Sequence, residues 1–158
     1  MNEQVSNEKK PNKNASLMIV SQYIKDLSFE NPNAPFSFNP TDSAPDIQVS
    51  LDLGAKDLNK EGRYEVILHV KIEAKHAEKV MFILELSYAI VALLKDIDEQ
   101  HVQSILFVDV PYLMFPFARQ IVADVTRNGG FVPLMLDPIN FTELFNQRHK
   151  KTENTKAN

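Results

Sequence analysis

The sequence predicts an α+β domain with strands first and helices after. Three observations carry this. Two stretches alternate apolar and polar residues with a period of two, a proline-rich segment precedes them, and the second half switches to helical spacing closed by Asn128-Gly129-Gly130.

Leu17–Glu30 reads as a strand bent near Ser21–Gln22. Asn31–Asp46 carries Pro32, Pro35, Pro40 and Pro45, each pushing its predecessor to extended backbone, so an ordered extended crossover is expected. Ile47, Val49, Leu51 and Leu53 alternate with Gln48, Ser50 and Asp52, the period of a strand with one buried face, and Gly54–Gly62 reads as a connection. Tyr64, Val66, Leu68, Val70, Ile72 and Ala74 alternate with mostly charged or polar residues and give the cleanest strand. A turn around Ala77–Lys79 makes an antiparallel hairpin with Val80–Val91. That fourth strand is apolar on both faces apart mainly from Glu85 and Ser87, and it demands cover on both.

Asp98 is placed to cap a helix running to about Val110, where Pro111 interrupts or kinks it. Tyr112–Arg127 continues with Met114, Phe117, Ala118, Ile121, Val122 and Val125 on one stripe. Its first half, including Leu113 and Phe115, is apolar nearly all round, and another copy of the chain is the easiest second cover. Asn140 and Glu143 form a capping pair for a short helix carrying Phe141, Leu144 and Phe145. Met1–Asn14 and His149–Asn158 read as solvated, disordered tails around a single domain, 15–148.

The 158 residues are about one domain's worth, 44% hydrophobic and 24% charged, which argues against wholesale disorder. There is no cysteine, so disulfides, thiolate metal sites and thiol nucleophiles are excluded, in keeping with a reducing cytosol. The polar start has no signal-peptide core and no run approaches a membrane span, so a cytoplasmic chain not inserted in a membrane is expected. A net charge of −4 disfavours a phosphate backbone as partner. His69, His76, His101 and His149 share no metal-ligand spacing, the glycines build no phosphate loop, and no Gly-x-Ser-x-Gly elbow occurs. The expectation is a binding protein without metal or cofactor and not an enzyme. The rival reading is a small-molecule binder or enzyme using the sheet-and-helix cleft, which predicts a stoichiometric ligand.

Two features stand out. Asp26 and Glu30 share strand parity roughly 13 Å apart, and Glu85 interrupts the most apolar strand. Spacing alone leaves ordinary surface charge and an acidic docking patch equally open. Phe36 and Phe38 in the crossover, Tyr112, Phe115 and Phe117 at the helix prolines, and Phe141 and Phe145 lie outside regular strand interiors. Core packing is the commoner fate of such aromatics, and an apolar groove is the alternative.

Tyr23-Ile-Lys-Asp-Leu-Ser-Phe-Glu-Asn-Pro-Asn-Ala-Pro35 resembles the opening signature of the SecB family of bacterial protein-export chaperones. The similarity continues through Tyr64-Glu-Val-Ile-Leu68, Phe115-Pro-Phe-Ala-Arg119, Gly130-Phe-Val-Pro-Leu134 and Leu136-Asp-Pro-Ile-Asn-Phe-Thr-Glu-Leu-Phe145. The resemblance implies a four-stranded antiparallel sheet with a crossover after strand one, helices on one face, and a homotetramer built as a dimer of dimers. It implies ATP-independent holding of unfolded precursors and their delivery to the SecA motor; a SecB-like chaperone dedicated to one client, such as an antitoxin, is the runner-up. Asp26, Glu30, Ile83 and Glu85 match the family's SecA-binding surface. Val49, Leu51 and Leu53, with Phe141, Leu144 and Phe145, match client-contact regions, to which the aromatic pattern adds Phe36, Phe38, Tyr112 and Phe115. Leu84, Leu86 and Tyr88 fall at family subunit contacts, to which the all-round apolar helix adds Leu113. The chain departs from the family pattern at Ser87–Val91, at the bulky Ile105–Val110 and in its lysine-bearing tail.

Overall fold

Strands come first and helices after, as the residue periods require. The fold is that of a computed structural model, which describes residues 14–58 and 61–156; the expectation for the first tail falls almost wholly outside them. The strands are β1 (Ser16–Glu30), β2 (Asp46–Asp57), β3 (Arg63–His76) and β4 (Lys79–Lys95). They form one antiparallel sheet in the order β1-β4-β3-β2, so the chain crosses from one edge to the other after β1. The crossover carries a 3₁₀ turn at Phe36–Phe38 and is tied down by Asn33, whose amide donates to the Val80 carbonyl at 2.8 Å.

Alternation sorts the two faces. Val66, Leu68, Val70, Ile72 and Ala74 of β3 stand opposite Ile90, Tyr88, Leu86, Leu84 and Phe82 of β4, and all ten are buried under the helices. The intervening residues, among them His69, Lys71, Glu73, Glu85 and Ser87, form an outer face that no described helix covers. β2 does not stop at Gly54: it stays paired to Asp57 opposite Tyr64, because the partner strand continues and supplies the ladder. β1 carries two register shifts, one between Ile19 and Ser21 beside the expected bend and another between Ile24 and Asp26.

Helix α1 (Glu99–Ser104), a wide π turn (Ile105–Asp109) and α2 (Val110–Asn128) run on as one helix of 30 residues. Pro111 therefore does not interrupt it. A proline inside a regular helix lacks a donor and crowds the preceding turn, and the wider turn before Pro111 relieves both. This helix is long and apolar enough by length and composition to cross a membrane, contrary to the sequence expectation. In this fold one side of it packs on the sheet. Its buried seam is Val110, Met114, Ala118, Val122 and Thr126, four residues apart, while Phe117 remains 48% exposed at the margin of the expected stripe.

Helix α2 ends at Gly129-Gly130, with Gly130 at φ +90° and the Phe131 amide donating to the Thr126 carbonyl at 3.1 Å. A Cβ on Gly129 would stand 2.3 Å from the Phe29 ring. Phe29, Phe82, Phe131 and Phe38 form one aromatic cluster there, pinning the crossover and β1 to the helix end. The last helix, α3 (Phe141–Lys156), is capped as expected, with the Glu143 amide donating to Asn140 Oδ1 at 3.0 Å. It is longer than expected and runs through much of the segment read as a disordered tail.

Candidate functional site

The helices cover the two central strands and leave the helix side of both edge strands partly open. On β2 this opening is a track. Thr126, buried in α2, donates to the Val122 carbonyl at 2.9 Å and accepts from the Leu134 amide at 2.9 Å. That contact holds segment 131–140 alongside the sheet. Between this segment and Ile47, Val49 and Leu51 lies a depression of about 380 Å³ lined also by Leu134, Met135, Leu136 and Ile139. It adjoins, through Leu51, a groove of about 190 Å³ formed by Leu53, Leu68, Phe107, Phe141, Leu144 and Phe145.

Helix α3 closes the far end. Arg148 Nη1 donates to the Leu53 carbonyl at 3.0 Å on the outer edge of β2, Nη2 pairs with Asp52, and the guanidinium lies 5.8 Å from the Phe107 ring centre. Phe145 stacks near Phe107 with ring centres 6.4 Å apart.

The client-side expectations divide accordingly. Val49, Leu51, Leu144 and Phe145 line the track with accessible surface. Leu53 and Phe141 form its floor and belong to the core, as does Phe115, which meets Phe141 edge-on at 5.9 Å. Tyr112 packs edge-on against Phe141 at 5.1 Å and is 46% exposed. Phe36 and Phe38 lie elsewhere: Phe36 borders a separate pocket with Asn33, His76 and Met81, and Phe38 packs on Phe131. The crossover and α3 therefore do not flank one groove. Sequence reasoning missed Ile47, Phe107 and Leu134–Ile139 as lining; the Leu136–Phe145 block was the signal, but nothing local says it lies beside β2.

The acidic positions do come together. Glu30 stands opposite Ile83, Ser28 opposite Glu85 and Asp26 opposite Ser87, so Asp26, Glu30, Ile83 and Glu85 occupy adjoining strands on the outer face. Asp26 and Glu85 border a shallow pocket with His69 and Lys71, and Lys71 pairs with Glu85 at 2.9 Å. Further along the same face lies a carboxylate that, with Lys71, Glu73 and Lys75 alternating in sign along β3, reads in the sequence as ordinary solvated surface. Glu65, 8% exposed, accepts from the Tyr23 hydroxyl at 2.5 Å and from Lys25 Nζ at 2.9 Å on each oxygen. These bonds, Tyr23's first, hold its carboxyl below the ordinary glutamate range, while Tyr23 is pushed up to about 12, chiefly by its bond to Glu65.

The subunit expectations need correction. Leu84, Leu86 and Tyr88 are 0%, 2% and 5% exposed within a single chain, because the helices already cover that side of β4, and they have no surface left for a partner. Leu113, 48% exposed, does.

The family model described as "Preprotein translocase subunit SecB" matches residues 10–152. The protein-export protein SecB of Parvibaculum lavamentivorans is 46% identical over 141 residues, covering 89% of this chain and 83% of that one. SecB of Agrobacterium fabrum is 47% identical over 133 residues, covering 84% and 82%. The fold is shared with the Mycobacterium tuberculosis SecB-like chaperone Rv1957, solved with a ChAD peptide from the HigA1 antitoxin, at a TM-score of 0.64 and 12% identity over 78% of this chain and 90% of that one. With a family match over nearly the whole chain and relatives at such identity, this chain belongs to the SecB family.

Proposed function

We propose that the protein is a cytoplasmic, ATP-independent export chaperone that holds unfolded precursors along the β2 track and hands them to SecA through the outer face. The observation that carries this is the track itself: an apolar surface beside a sheet edge, at a strand that among the described residues pairs on one side only. An extended polypeptide laid there meets apolar side-chain sites and backbone donors and acceptors at once, which favours unfolded chain over folded protein without a sequence requirement.

Each site is weak, because two or three side chains entering a groove contribute a few kcal/mol before ordering costs of similar size. Affinity comes from repetition. A homotetramer offers several tracks to one long chain, and linked sites add roughly 10²- to 10⁴-fold in avidity. The exposed Leu113, Phe117 and Tyr112 on α2, with Ile19, Ile24 and Leu27 on β1, are apolar surface that subunit packing buries. Holding requires no bond making, consistent with a chaperone and not an enzyme.

Asp26, Glu30 and Glu85 face away from the track, so a basic surface of SecA docks without displacing client. The export reading is favoured over a dedicated antitoxin chaperone because the export proteins are similar at 46–47% identity and the antitoxin-binding one at 12%. Native mass spectrometry with an unfolded precursor tests it. A tetramer taking up one long chain is expected; a monomer that ignores precursor, or one that carries a stoichiometric small molecule, refutes it.

A further inference from the structure

Whether Asp26 reaches the outer face depends on one extra residue in β1. Ile24 stands opposite Tyr88 on the helix side and Asp26 opposite Ser87 on the outer side, so Lys25 is the additional residue of a β-bulge. Were the extra residue Ser28 instead, Lys25 would face Ser87, Leu27 would face Glu85, and Asp26 would turn under the helices opposite Leu86. Phe29, held in the aromatic cluster, fixes the end of the strand but not where the bulge falls before it. Leu27 weighs little in the choice, since it is 38% exposed even where it is.

Glu65 distinguishes the two arrangements. It lies on the outer face of β3, two strands from β1, and Ala89 of β4 stands between Tyr23 and Ile67 in the register. Ala89 is fully buried although it faces away from the helices. A side chain this small lets Tyr23 and Lys25 cross β4 and reach Glu65. Moving the bulge to Ser28 draws the Lys25 backbone away from Glu65 by a fraction of one residue's rise of about 3 Å, which lengthens the reach that now holds Nζ at 2.9 Å from both carboxylate oxygens. A carboxylate with so little solvent is costly to leave without its counter-charge, so the arrangement that keeps Lys25 in place is preferred.

We propose that Glu65 is a positioning residue: through Lys25 it fixes the bulge at that residue and so presents Asp26 to a basic partner on the outer face, while Tyr23, opposite Ala89 in either arrangement, holds the carboxylate in place. The second half rests on the reading of that face as the SecA surface; the first does not. The chain has no cysteine, so two engineered pairs report the register of the full-length protein. In the parent, Ser28→Cys with Glu85→Cys should cross-link and Leu27→Cys with Glu85→Cys should not. Adding Glu65→Gln or Lys25→Met should raise the Leu27→Cys link to a yield comparable with the other, and Lys25→Arg should keep the parental pattern. Without the cysteines, Glu65→Gln and Lys25→Met should bind SecA about 5- to 10-fold more weakly at unchanged client uptake, the size expected from losing one charged contact. If Glu65→Gln loses its native circular dichroism, Lys25→Met decides. A cross-link pattern unchanged in the folded variants overturns the proposal, even where SecA binding falls. The SecA reading fails separately, if Asp26→Lys leaves SecA binding intact.

Discussion

The helix side of β2 and the outer face of β1 and β4 belong to one sheet, yet they are built on opposite terms. The track is a depression whose walls are contributed by distant segments: β2, residues 131–140 and α3. The acidic face is nearly flat and made by neighbouring strands, with residues placed by alternation once the bulge at Lys25 has set its phase. A strand's period of two lets one sheet present unrelated chemistries on its two sides, and a holder that must pass its cargo to a motor benefits from sites that do not overlap.

Mutations that respect or violate this separation test it. The largest effect should come from Phe141→Ala. Phe141 is 1% exposed and packs against Tyr112 and Phe115, so the change should cost about 3–5 kcal/mol in denaturant unfolding, and it should impair both faces together. Leu144→Ser with Phe145→Ser should behave differently. These side chains are half-exposed on the track, and losing about 1 kcal/mol of apolar contact from each weakens client uptake roughly 10- to 30-fold with SecA binding unchanged. Equal losses in both assays would erase the distinction between floor and wall.

Charge reversal at Asp26 and Glu30 probes the other side. SecA binding should fall about tenfold at low salt, with the difference shrinking as salt rises, while client uptake stays as it was. Parallel loss of client uptake would mean the faces are not independent.

The smallest effect concerns Tyr23, whose hydroxyl is pushed up to about 12 by Glu65. A raised folded-state value means the protonated hydroxyl is the form that stabilises. Its contribution is complete below pH 10 and fades as pH rises towards 12. For a residue 37% exposed the effect should be on the order of 1 kcal/mol, and Tyr23→Phe should flatten stability over that window. Glu65 has the opposite sign: its lowered carboxyl stabilises at neutral pH and loses that contribution as pH falls through its depressed value.

Much of this was legible in the chain. Val66 to Ala74 alternate so cleanly that their burial follows from period alone, and the Asn140 cap forms as the residue types demand. That Asp26, Glu30, Ile83 and Glu85 share one face followed from parity and family resemblance, and it holds because the extra residue of β1 falls at Lys25, before them. Leu84, Leu86 and Tyr88 were misplaced because an apolar strand residue looks the same whether a helix of its own chain or a partner covers it. Phe36 and Phe38 were assigned to the α3 groove because exposure on a crossover says nothing of where the crossover docks.

Residue identity and local period were enough for the order of strands before helices, the apolar face of each central strand and the absence of thiol chemistry, but not for the ends of β2 and α3. Tertiary structure decided which aromatics are floor, wall or anchor, how Pro111 is accommodated in a continuous helix, and where β1 takes its extra residue. Those choices rest on contacts between residues far apart in the chain, such as Thr126 with Leu134, Arg148 with Leu53, and Lys25 with Glu65. Local propensity carries no information about the partner across such a gap, and so the sites became specific only once the chain was folded.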